Sequence, residues 1–153
     1  MPMERLRIGS DLTHGLSSRE RAERPAAGAA RDSFRAQLKQ VYSGQLNERI
    51  DKALAHIDEL GARLSQSLSM TDLKRYREAI ASLMKDLTSN MVEVRTQLEW
   101  DSQAWEHRTL VTIRKVNEEL EKLTGLVLAQ EQDRLAILDK IGEIKGMLLD
   151  VRM

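Results

Sequence analysis

The sequence predicts a mainly α protein, an antiparallel bundle of three to four long helices with a small β-hairpin arm inserted before the C-terminal helices. Three observations carry that prediction. Only 3% of the 153 residues are aromatic, with 8 Gly and 2 Pro, and the dominance of Leu, Arg, Glu, Ala and Lys favours helix over a β sandwich or barrel. Beyond about residue 33 the apolar residues recur at steps of three and four, the stripe of an amphipathic helix. One stretch, about residues 92–111, interrupts that step with an alternating pattern.

Residues 1–32 are rich in Arg, Ser, Gly and Ala and show no sustained period, so they read as a disordered tail ahead of a bundle domain spanning 33–153. Ser33 can cap a helix that opens with Phe34, Leu38 and Val41. The phase slips at Ser43-Gly44, where a kink or short break is expected. From Leu46 the step is clean through Ile50, Leu54, Ile57, Leu60, Leu64 and Leu68, which makes the first long helix. Ser69-Met70-Thr71-Asp72 then has capping-box spacing, and Leu73, Tyr76, Ile80, Leu83 and Leu87 continue the helical step. So short a connection folds the second helix back antiparallel on the first.

Two periods compete in the next stretch. Met91, Val94 and Leu98 extend the second helix, whereas Val92, Val94, Leu98 and Trp100, with Thr96 between them, alternate as in a strand. The strand is favoured, because Ser89-Asn90 can stop a helix and Val, Thr and Trp are strand residues. Asp101 to Ala104 would turn the chain into a second strand from His107 to Thr112. Such an arm is marginal alone and must lean on the bundle or on another chain. The helical step resumes with Ile113, Val116, Leu120, Leu123 and Val127, is interrupted by Gln130, Glu131 and Arg134, and returns with Leu138, Ile141, Ile144, Leu148 and Val151. The matching phase favours one continuous helix; Thr124-Gly125 and the polar interruption favour a broken one, which is preferred.

The same composition excludes much chemistry. With 0 Cys there is no disulfide, no thiolate nucleophile and no Cys-ligated metal. His14, His56 and His107 lie far apart without metal-ligand spacing, and there is no nucleophile elbow or phosphate-cradling loop. No catalytic residue, metal or cofactor is therefore expected. Carboxylates such as Glu118, four residues before Lys122, fit ion pairs on solvated helix faces. The 24 Lys plus Arg balance 24 Asp plus Glu, so no global field steers the chain to nucleic acid. The densest basic cluster of the bundle is Lys74, Arg75 and Arg77. No apolar run is long enough to cross a bilayer or act as a signal peptide, and a cytoplasmic protein with no membrane partner is expected.

What remains are candidates for contact. Trp100 and Trp105, with Arg108 beside them, either anchor a partner or seal the end of the bundle. Gly142 and Gly146 bracket Glu143 and strip side chains from one helical face. Two mid-helix glycines cost about 2 kcal/mol relative to Ala, so a steric reason is expected. That reason is a close helix contact, within the bundle or with another chain.

Several segments together resemble the YaaR family of small bacterial proteins. They are Asp72-Leu73-Lys74-Arg75-Tyr76, Arg108-Thr109-Leu110 leading into Val116-Asn117-Glu118-Glu119-Leu120, Glu131-Gln132-Asp133, and Ile137-Leu138-Asp139-Lys140-Ile141-Gly142-Glu143-Ile144-Lys145-Gly146. The resemblance covers roughly Phe34 to Val151 and implies a largely helical cytoplasmic protein of a family whose biochemical role is not established. It transfers no catalytic residue. The leading reading is thus a non-enzymatic helical protein–protein interaction module that self-associates, with its protein partner not legible from the residues. The alternative is a weak nucleic-acid-associated factor using the Arg-containing tail and the Lys74, Arg75 and Arg77 patch.

Overall fold

The computed structural model describes residues 2–98 and 103–153, with side chains at 28–94, 96 and 103–153. Its elements are four helices, α1 (Pro2–Ser67), α2 (Met70–Leu98), α3 (Gln103–Leu128) and α4 (Arg134–Leu148), followed by a single 3₁₀ turn, Leu149–Val151. The chain divides between Val41 and Tyr42 into two compact units. In the first unit the backbone is helical and Phe34 and Val41 are exposed. The sequence predicts helix only from Ser33, but α1 carries helix back to Pro2. Arg, Glu and Ala there are good helix formers that need no apolar stripe.

The second unit is the bundle, and its cross-chain contacts fix its topology. Tyr42 donates to Asn90 Oδ1 at 3.3 Å, Arg49 pairs with Asp86, and Gly61 backs onto Tyr76, so α1 and α2 run antiparallel. Arg77 of α2 donates to Glu121 and Thr124 of α3 at 2.9 and 2.7 Å. Lys140 of α4 reaches Glu119 of α3 at 2.6 Å, and Lys145 of α4 reaches Asp58 of α1 at 3.2 Å. Each helix therefore lies between two others in a closed up-down-up-down ring. Ile50, Leu64, Leu73, Tyr76, Ile80, Leu123, Ile137 and Ile144 fill its centre, each at most 1% exposed. Burial of this apolar surface is the dominant stabilising term.

Local chemistry explains the breaks between helices. Ser69 Oγ accepts from the Asp72 amide at 3.2 Å, the interaction its capping-box spacing predicts. Just before it Leu68 takes the left-handed conformation, with φ 53°, which costs a non-glycine residue about 1–2 kcal/mol. It is held by its packing on the core, by its N–H, which donates to the Leu64 carbonyl at 2.8 Å, and by Gln132, whose side chain donates to the Leu68 carbonyl at 2.9 Å. The third and fourth helices are separate, as preferred from the sequence. Asp133 caps α4 by accepting from the Ala136 amide at 3.1 Å, and Gln132 donates back to the Val127 carbonyl at 2.8 Å. The polar run makes the break, while Gly125 stays inside α3.

Two expectations are corrected. Among the described residues there is no strand, and the hairpin arm of about 92–111 is absent. Val92 and Val94 would share a face in a strand, yet Val94 is 0% exposed and Val92 63%, as a helix requires. The residues read as a helix stop are accommodated within the helix instead. Thr88, Ser89, Asn90 and Thr96 each donate a side-chain hydrogen bond to the carbonyl four residues earlier, at 2.7 to 2.9 Å. In α3 the buried stripe starts with Trp105, Thr109 and Thr112, whose polar members concealed the helical step. The short break that Ser43-Gly44 could have made is not formed either, since α1 is helical at both residues. One glycine costs only about 1 kcal/mol, less than the packing of Leu46 and Ile50 on either side of the next turn.

Candidate interaction face

Helix α4 is apolar on two sides. Asp133 fixes its start, Ile137, Ile144 and Leu148 turn one side into the core, and the 3.6-residue period then sends another set outward. That set is Leu135 (66% exposed), Leu138 (48%), Gly142, Gly146 and, in the following turn, Leu149 (52%). A Cβ added at Gly142 or Gly146 would meet nothing within 4 Å. The close contact inside the bundle that these glycines predict is therefore not made, and the face is open. Charged residues border it: Asp139 and Glu143 on one edge, Arg134 and Lys145 on the other.

The edges are tied to the neighbouring helices. Glu143 accepts from Lys140 at 2.8 Å, and Lys140 also holds Glu119, which Lys122 contacts at 3.1 Å. Hydrogen bonds from Lys140 and Lys122 hold the Glu119 carboxyl below the usual glutamate range, and those to Glu119 and Glu143 push the Lys140 ammonium up. The pair expected between Glu118 and Lys122 is thus replaced by Glu119 with Lys122, three residues apart, since Glu119 faces α4.

The remaining sequence candidates serve the end of the bundle. Trp105 is 5% exposed and its Nε1 donates to the Val151 carbonyl at 2.9 Å, the sealing role. Arg108 donates to the Asp150 and Arg152 carbonyls at 3.1 and 3.0 Å. Trp100 lies outside the described residues. Sequence reasoning missed Asn47, whose amide donates to the Met153 carbonyl at 2.9 Å while its oxygen accepts the Met153 amide at 2.7 Å. A polar residue on the flank of an apolar stripe gives no sign of a partner 106 positions away. The basic patch is dispersed: Arg77 is committed to Glu121 and Thr124, while Lys74 and Arg75 are exposed. No group of His, Asp and Glu among the described residues could hold a metal ion. None of their helices is long and apolar enough to cross a membrane.

Comparison with known proteins places this arrangement. The model of the family described as "Protein of unknown function (DUF327)" matches residues 11–152. The chain belongs to the DUF327 family. A DUF327 relative in Bacillus subtilis, the uncharacterised protein YaaR, is 26% identical over 119 residues, covering 78% of this chain and 81% of YaaR. Among solved structures, the uncharacterised protein BH1478 from Bacillus halodurans is 29% identical with a TM-score of 0.60, over 74% of this chain and 92% of that one. A designed granulopoietic protein, Moevan, reaches a TM-score of 0.65 at 20% identity, over 72% of this chain and 94% of its own. The last likeness shows only that the helical bundle is a shared fold.

Proposed function

We propose that this DUF327 protein is a non-enzymatic helical interaction module of the cytoplasm that docks protein, including further copies of itself, through the outer face of α4. One observation supports the reading above the others. Gly142 and Gly146 have open space where side chains would stand, on a face continued by exposed Leu135, Leu138 and Leu149. Two glycines weaken a short helix by about 2 kcal/mol and three exposed leucines add no core. Both are accounted for by a helix that approaches from outside, with its backbone in the space the glycines leave. The rival nucleic-acid role draws little support from a basic patch in which Arg77 is already paired.

The test is a photoreactive residue placed at position 138 of the full chain, with a second variant labelled at the exposed Ser82 of α2 as control. Irradiation in the native host is expected to give discrete protein adducts from 138 and not from 82. Equal labelling at both positions would sink the reading.

A further inference from the structure

The charges beside the α4 face identify what covers it. We infer that the occupant is α4 of a second copy, lying parallel to the first about a two-fold axis. This rests on the reading of α4 as a docking face and adds the partner and its direction. At about 100° per residue, Leu135, Leu138, Gly142, Gly146 and Leu149 fall on one stripe. Asp139 and Glu143 fall on its one side, Arg134 and Lys145 on the other. In an antiparallel pair related by a two-fold axis, like edges meet, so Asp139 and Glu143 would face the same acidic residues of the second copy. In a parallel pair opposite edges meet. Arg134 then stands five residues before Asp139 of the other copy, the offset at which flanking residues of parallel helices pair, and such flanking charges set helix orientation. The symmetry forms this pair twice.

The apolar stripe fits the same arrangement. With Leu135 and Leu138 at one end and Leu149 at the other, the glycines leave a waist between them where two backbones can approach closely. The existing contacts do not block it: Arg134 is exposed and donates to the Gln66 carbonyl only at a long 3.3 Å, Glu143 is 54% and Lys145 58% exposed while bound to Lys140 and Asp58, and exposed pairs of this kind are held weakly. One face serves both copies, so the association closes at two and does not propagate.

The chain has 0 Cys, so a Leu138→Cys variant carries a single thiol at an exposed position. In the parallel pair the two substituted positions face each other, whereas in an antiparallel pair centred on Gly142 they are about 12 Å apart along the axis, beyond disulfide reach. Mild oxidation of the full chain is expected to give a disulfide-linked dimer, at a rate well above that of a Ser82→Cys control. In sedimentation, Arg134→Glu or Asp139→Arg should weaken dimerisation about tenfold, and the double exchange should restore it. Circular dichroism should be unchanged in all of them.

A chain that stays monomeric into the hundreds of micromolar, with no preferential disulfide, overturns the inference. If position 138 then photo-crosslinks to a different host protein, only self-pairing fails and the docking face stands. If it crosslinks to nothing, both readings fail.

Discussion

Replacing Gly61 by Ala is expected to destabilise the bundle, although Ala is the better helix former. Gly61 is buried in α1 where that helix meets α2 and α4. A Cβ there would stand 3.0 Å from Ile141 Cγ2 and 3.3 Å from Tyr76 Cε2, closer than two carbons pack at their optimum of about 3.5–4.0 Å. Neither neighbour yields easily. Cγ2 belongs to a β-branched residue whose χ1 is nearly fixed in a helix, and the Tyr76 ring is 1% exposed with core on all sides. Overpacking of this kind costs about 1–3 kcal/mol, against a propensity gain of about 1 kcal/mol. The net loss is about 1 kcal/mol, a fall of about 4 °C in the midpoint for a domain of this size. Thermal unfolding followed by circular dichroism reads it directly, with Gly142→Ala and Gly146→Ala as comparators. These two meet no neighbour and should each gain up to about 1 kcal/mol in the monomer. A Gly61→Ala midpoint equal to or above the parent's would show that the α1–α4 contact is loose and would refute the packing argument.

Thr109→Val should raise stability by about 1 kcal/mol in urea unfolding, because Thr109 Oγ1 is buried with no hydrogen-bond partner and a methyl group needs none. The ionic pair of Glu119 and Lys140 gives a pH dependence whose sign follows from its shifts. The Glu119 value is lowered on folding, so its contribution is complete above the ordinary glutamate pKa of about 4.3 and is lost as pH falls through the lower folded value. The Lys140 value is raised, so its contribution is complete below about 10.4 and is lost as pH rises through the folded value. Melting profiles of Glu119→Gln should show a shallower acid-side dependence than the parent's; an unchanged slope below about pH 4.3 would count against it. Asn47→Ala should cost about 1–3 kcal/mol and speed amide exchange at Met153, with the exchange of α2 unaffected. Equal exchange at Met153 in parent and variant would show that Asn47 does not hold it.

Much of the bundle is legible because its signals are redundant. The stripe from Leu46 to Leu64 and the capping box at Ser69 each point to the same boundary, and α1 and α2 meet there as expected. The second half of α2 is illegible for the opposite reason. Thr88, Ser89, Asn90 and Thr96 have helix-stopping tendencies, and only the backbone geometry shows that their side chains bond one turn back. The glycines teach a similar lesson. Spacing reveals that Gly142 and Gly146 share a face, but not whether the face is turned in or out. Gly61 lies inside a stripe of leucines, where its own tight contact leaves no separate mark in the sequence.

The bond between Asn47 and Met153 also orders events in time. Helices α1 to α3 meet their sequence neighbours as they are made, but the side of α1 bearing Asn47, Asp51 and Asp58 receives its partners only from Lys145, Arg152 and Met153. At about 5–20 residues per second, translation from Asn47 to Met153, 106 positions on, takes on the order of 5–20 s. For the part of that interval that follows the synthesis of α2, a nascent α1 presents one finished flank and one unfinished flank, and the ring closes only once Lys145, Arg152 and Met153 have emerged.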